Sequence, residues 1–173
     1  MNHYLKLAKN TAKKYLENGE ILKPDWEELP KQFKQFQAGV FVSIYNENQL
    51  RACIGTIEPQ RENLALEIIH NTVAALTQDF RFRAIEKNEV SDLKFEVSVL
   101  SKPELINSYK ELDPKKYGVI VKNNTGQTGV LLPELQGITT VREQIETAAT
   151  KAGIDPESQD LEIYRFWVEK HKQ

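Results

Sequence analysis

A single cysteine, Cys53, stands in the run Gln49-Leu50-Arg51-Ala52-Cys53-Ile54-Gly55-Thr56, between stretches that alternate apolar and polar residues. Read as a strand, its period of two sets Arg51, Cys53 and Gly55 on one face and Leu50, Ala52, Ile54 and Thr56 on the other. A thiol beside a fixed guanidinium gives up its proton more readily, which makes Cys53 a candidate nucleophile or group acceptor. The competing reading is a small buried hydrophobe, the usual fate of a free cysteine. Among His3, His70 and His171, only His70 follows the cysteine strand closely enough to act as its base; otherwise it is a surface or packing residue.

Charged residues supply the other candidates. Arg81 and Arg83 flank Phe82 and could clamp an anion or stack on a planar group. Arg81 could equally be an internal ion-pair partner of Asp79 or Glu96. Glu96 lies between apolar neighbours, where a carboxylate is costly unless paired. Arg51, with Glu58, Arg61 and Glu62 nearby in sequence, has a solvated charge pattern as its alternative. Tyr164, Phe166 and Trp167 read either as a partner-docking edge or as core.

Other chemistries lack support in the sequence. One cysteine and three scattered histidines form no cluster with zinc or iron spacing, and Gly126 and Gly129 do not make a phosphate loop, so neither metal nor cofactor is expected. The 23 basic and 25 acidic residues are spread along the chain and leave a net charge of −2, too little field to attract nucleic acid. No apolar run reaches the roughly 20 residues that span a bilayer, and Met1-Asn2-His3-Tyr4-Leu5 lacks the apolar core of a signal peptide. A lone cysteine suits a reducing compartment, so the expected location is the cytoplasm.

The elements that must position these residues follow from periodicity. At 173 residues, 40% hydrophobic and 28% charged, the chain reads as one globular domain over residues 1–173, with room for a small subdomain. Tyr4, Leu5, Ala8, Thr11, Ala12, Tyr15 and Leu16 recur at helical spacing, and Asn18-Gly19 ends that helix. Between Gly19 and Gly39 no period persists, which predicts a long packed loop with apolar anchors and a candidate lid. Gly39 to Tyr45, the turn Asn46-Glu47-Asn48 and the cysteine strand predict a β-hairpin. Leu64 to Leu76 marks a second helix, Phe95 to Val99 a strand, and Tyr117–Lys122 with Gly129–Leu132 a second hairpin. Thr140 and Glu143 form a capping box ahead of a third helix that Gly153 ends, and Leu161 to Val168 is a final strand. Hairpins outnumber β-α-β units, so the class is α+β with a mainly antiparallel sheet flanked by helices.

Several of these stretches together resemble one family. Gly39-Val40-Phe41-Val42-Ser43, Leu50-Arg51-Ala52-Cys53-Ile54-Gly55-Thr56, Asp79-Phe80-Arg81-Phe82, Glu96-Val97-Ser98-Val99-Leu100, Leu131-Leu132-Pro133 and Lys151-Ala152-Gly153-Ile154 are similar, in order, to motifs of the AMMECR family. Its prokaryotic members are protein A of the AmmeMemoRadiSam system. Two positions depart from the family pattern: Ala52 replaces a glycine, and Phe80 replaces a proline. The resemblance implies mixed helices and antiparallel strands in a protein of unestablished activity, working with a Memo-like protein and a radical SAM enzyme. On this basis the leading expectation is an accessory or binding component. Its ligand or partner surface comprises Arg51, Gly55 and Thr56 around Cys53, bordered by Asp79, Arg81 and Phe82, and takes a partner protein or a small ligand. The rival is an enzyme that uses Cys53 as nucleophile or group acceptor.

Overall fold

The Asn2 side chain accepts hydrogen bonds from the backbone N–H groups of Tyr4 and Leu5, opening helix α1 (His3–Asn18), and Gly19, at φ 71°, closes it. The computed structural model describes residues 2–173, and these form two compact units: 2–100 with Glu169–Gln173, and Ser101–Val168. The segment after α1 contains a short helix, α2 (Gln32–Gln35), whose Phe33 is completely buried. The Tyr4 ring lies 4.6 Å from that of Phe33, and Leu22 and Leu29 pack on the same core. These anchors pin the segment for which the sequence predicts a packed loop and candidate lid.

Strands β1 (Val40–Asn46) and β2 (Gln49–Gly55) form the predicted hairpin. Glu47 and Asn48 sit in the turn with φ of 48° and 65°, the two-residue geometry that matches strand twist. Helix α3 (Leu64–Thr77), N-capped by Asn63, packs on β1 and β2, and β3 (Leu93–Leu100) pairs antiparallel with β1. Val40, Val42, Ile44, Ala52, Phe95 and Val97 point to the helices and form the core with Ala8, Ala12, Ile68 and Ile69. The Ala52 methyl group, where the family pattern has glycine, is part of that core and is 1% exposed.

The second unit contains β4 (Glu104–Leu105), β5 (Gly118–Lys122), β6 (Thr128–Leu131), helix α4 (Val141–Lys151) and β7 (Glu162–Phe166). Its antiparallel sheet has the order β4-β7-β5-β6, and α4 packs on β5 and β6 around Val119, Leu131, Ile145, Ala148 and Ile163. The capping box of Thr140 and Glu143 is present as the sequence predicted. The final strand, however, breaks at Trp167. Ser101 takes both backbone groups of that residue: its N–H donates to the Trp167 carbonyl at 3.0 Å, and its hydroxyl accepts from the Trp167 N–H at 3.1 Å. The chain then enters β8 (Val168–Lys172), which completes the first sheet in the order β2-β1-β3-β8. His171, expected in a tail, therefore lies in a strand and stacks on Tyr4 with ring centroids 3.7 Å apart. The class is α+β with mainly antiparallel pairing. Among the described residues, no helix is long and apolar enough to cross a membrane.

Candidate functional site

Strand alternation sends Phe41, Ser43 and Tyr45 of β1 to the face of the first sheet opposite α3. Ser43 stands across from Cys53 on one side and Glu96 on the other. Its hydroxyl donates to the Cys53 sulfur at 3.2 Å, and the Glu96 carboxylate lies 3.3 Å from the Lys172 ammonium. One polar side chain from each of the four strands thus forms the row Cys53, Ser43, Glu96, Lys172. Tyr45 sits beside it: burial and the charges of Glu96 and Cys53 raise its hydroxyl above the usual tyrosine range, opposed by Lys172 and a hydrogen bond with Ser43.

The Cys53 backbone is held by the segment that follows α3. The Asp79 carboxylate accepts the Cys53 N–H at 2.8 Å, and the Arg81 guanidinium donates to the Cys53 carbonyl at 3.1 Å. Because β2 is an edge strand, these two side chains supply the partners that another strand would otherwise offer. Arg81 also clasps Asp79 through two bonds of 2.9 and 2.8 Å, which lowers the Asp79 carboxyl to about 2. Of the two ion-pair partners that the sequence offered Arg81, the structure selects Asp79. Phe82 lies against the same guanidinium, its ring centroid 5.4 Å away.

Three expected members of the surface are placed differently. Arg51 is the extra residue of a β-bulge, since Ile44 pairs with Ala52 and Tyr45 with Leu50. Its guanidinium turns to the outer edge, making two bonds to the Glu89 carboxylate at 2.9 and 3.0 Å and two to the carbonyls of Arg83 and Ala84. Glu89 neutralises that charge, so the guanidinium that reaches Cys53 is Arg81's. Gly55 is not an open position: a β-carbon there would lie 2.3 Å from the Phe41 ring and 2.5 Å from the Val40 carbonyl oxygen. We expect Gly55→Ala to cost about 1–3 kcal/mol in denaturant unfolding, because the ring or the backbone must shift. Thr56 lies toward α3, where its hydroxyl meets the buried Glu67 carboxylate at 2.5 Å and the Asn71 amide at 3.1 Å. His70 belongs to α3 as well, on the face of the sheet opposite Cys53; burial, with Arg61 nearby, lowers its pKa.

The sequence reading missed Ser43 and Tyr45 as neighbours of the thiol, and Lys172 as the partner of Glu96 at the far end of the row. The signal for Ser43 and Tyr45 was their alternation with Val42 and Ile44; Lys172 required knowledge of β8. Among the described residues, no group of three or more His, Cys, Asp or Glu side chains is arranged to hold a metal ion. The row can bind through a thiol, a hydroxyl and a carboxylate–ammonium pair, with Arg81 and Phe82 at the thiol's edge.

Comparison with known proteins gives this arrangement a family. The chain is 44% identical over 170 residues to a protein of Thermotoga maritima, covering 98% of this chain and 97% of that protein. It is 43% identical over 170 residues to one of Clostridium acetobutylicum, covering 98% of this chain but 36% of the longer relative. The fold is similar to the crystal structure of an uncharacterised protein from Pyrococcus horikoshii, with a TM-score of 0.86 and 28% identity over 96% of this chain and 88% of that one. The AMMECR1 family model matches residues 5–171. The hairpin with its cysteine, the Asp79–Arg81 clasp behind it and the second sheet with α4 all lie inside that match, and the chain belongs to the AMMECR1 family.

Proposed function

We propose that this protein is an accessory, ligand- or partner-binding component acting with a Memo-like protein and a radical SAM enzyme in a reducing cytoplasm. The observation that carries this reading is the row Cys53, Ser43, Glu96, Lys172, which sets a half-buried thiol among hydrogen-bonding groups with no histidine base beside it. Arg81 and Phe82 border the binding surface, and Asp79, Arg51, Gly55 and Thr56 support it through the contacts described above.

Alkylation of Cys53 tests the proposal. The native protein is treated with iodoacetamide alone and then with the Memo-like protein or the radical SAM enzyme from the same organism in excess. The expected result is at least about a fivefold slower modification with one partner, and loss of co-purification in a Ser43→Ala, Lys172→Ala variant. Unchanged alkylation and unchanged co-purification would remove the reading. The enzyme alternative is favoured by the hydroxyl on the sulfur, and its signature differs: a mass increase on Cys53 after incubation with the active partners.

A further inference from the structure

Asn2 and His171 meet through atoms whose roles are fixed by their other partners. The Asn2 side-chain oxygen accepts the N–H groups of Tyr4 and Leu5 at 3.0 and 3.4 Å, so its amide nitrogen is the atom that faces β8. Turning the amide over would set that nitrogen against two backbone donors. The nitrogen lies 3.1 Å from Nδ1 of His171. An amide nitrogen only donates, so Nδ1 accepts, and the ring is the neutral tautomer with its proton on Nε2. The side chain that caps α1 thereby also holds β8.

The imidazole stacks on the Tyr4 ring with planes 10° from parallel, and only 11% of its side chain is exposed. Among the described residues, few titratable groups face it. From α1, Tyr4 presents its ring and a hydroxyl bound by the uncharged Gln32 amide, while His3 turns to Phe33 and Lys6 pairs with Glu28. On β3, Lys94 and Glu96 point to the other face of the sheet, where they meet Asn48 and Lys172. On β8 itself, the Glu169 carboxylate lies 3.3 Å from Nε2. The Tyr4 ring face and Glu169 both favour a proton on the imidazole, but Glu169 is 67% exposed and its charge is screened. Burial, opposed by Glu169, lowers the His171 pKa.

We propose that the contact between Asn2 and His171 is a pH-sensitive latch that fastens β8 to the start of α1. A proton on Nδ1 turns the acceptor into a donor, and two donors do not stay 3.1 Å apart. Either Asn2 swings into water and the Tyr4 and Leu5 N–H groups lose their cap, or the ring leaves the stack and draws β8 with it. Lys172 is the next residue of β8 and pairs with Glu96, so an open latch also loosens the ammonium end of the polar row. A base whose pKa is lowered by folding binds its proton less readily in the folded state. The latch is therefore closed above about pH 6.5 and opens as pH falls below that value.

Amide hydrogen exchange of the full chain, alone in solution at about pH 7.5 and about pH 5.5, tests the latch, with each rate divided by the intrinsic rate at that pH. Protection of Tyr4, Leu5 and the β8 amides is expected to fall at least about fivefold at the lower pH, while β1 and β5 keep theirs. His171→Phe keeps a ring on Tyr4 and cannot titrate, so its protection should be the same at both pH values. Asn2→Asp reverses the sign. Its carboxylate still accepts from Tyr4 and Leu5, and its second oxygen accepts from a protonated Nδ1, so acid tightens the contact. The ring signals of His171 in NMR should then titrate at a pH at least about 1 higher than in the wild type. Wild-type protection that ignores pH, a His171→Phe variant that loses protection as the wild type does, or an Asn2→Asp variant with no upward shift would each overturn the inference. Circular dichroism at about pH 7.5 establishes that both variants are folded.

Discussion

Glu67→Leu is expected to lower the unfolding free energy by about 3–5 kcal/mol, more than any other single replacement considered, because of what it leaves unpaired. The carboxylate is 1% exposed and lies in the first turn of α3. One oxygen accepts the backbone N–H groups of Gln60 and Arg61, each at 2.8 Å; the other meets the Thr56 hydroxyl at 2.5 Å and the Asn71 amide at 3.4 Å. Asn71 in turn donates to the Val40 carbonyl at 3.0 Å, so the cluster joins β1, the end of β2 and the following loop to one helix. Leucine fills the space but accepts no hydrogen bond, and each stranded donor costs about 1–3 kcal/mol. Glu67→Gln keeps one acceptor oxygen and is expected to lose about half as much. Urea unfolding of the two variants measures both numbers. A loss below about 1 kcal/mol for leucine would show that these donors reach water.

Asp79→Ala should cost about 2–4 kcal/mol, since it leaves the Cys53 N–H without its acceptor and takes the counter-charge from Arg81. Arg81 is half exposed and can hydrate, which keeps the effect below that of breaking a fully buried pair. The same carboxylate makes stability depend on pH. The clasp by Arg81 chiefly, helped by the Cys53 N–H, holds the Asp79 carboxyl at about 2, below an unfolded value of about 3.9. A depressed carboxyl binds its proton less readily in the folded state, so its contribution of roughly 2 kcal/mol is complete above about pH 5. It declines as pH falls from about 4 through 2. Asp79→Asn removes this dependence. Its unfolding free energy should therefore converge with that of the wild type toward pH 2, and parallel curves at all pH values would refute the assignment. Amide exchange at Cys53 adds a local readout, with faster exchange expected in both variants.

Both effects arise where strand β2 meets the rest of its unit, and there the sequence was informative up to a definite limit. Local signals were legible because they act over a few residues. The alternation of Val40, Val42 and Ile44 marked β1, the Asn46-Glu47-Asn48 turn marked the hairpin, and Thr140 with Glu143 marked the start of α4. The order of motifs also pointed to the family. The thiol's surroundings were only partly legible. Counting by twos from Cys53 placed Arg51 on its face, but a one-residue bulge breaks the count, and Glu89, 38 positions away, turns the guanidinium outward. Gly55 looked open in sequence because a missing side chain does not reveal which neighbour uses the space; the Phe41 ring does.

The sequence by itself determined α1, the β1–β2 hairpin, α3, β3, the β5–β6 hairpin and α4, the α+β class, the absence of a long apolar span, and which short runs carry the family's motifs, but not β8. Tertiary structure alone decided which groups meet at the thiol and along the row that extends from it. Ser43 reaches the sulfur through strand register, Arg81 reaches the Cys53 carbonyl from the segment after α3, and Lys172 reaches Glu96 because β8 returns to the first sheet. The physical reason is one of range. Propensity, capping and periodicity are set by neighbours within about a turn or a strand, whereas pairing register and ion-pair partners depend on segments brought together only when the chain buries its core.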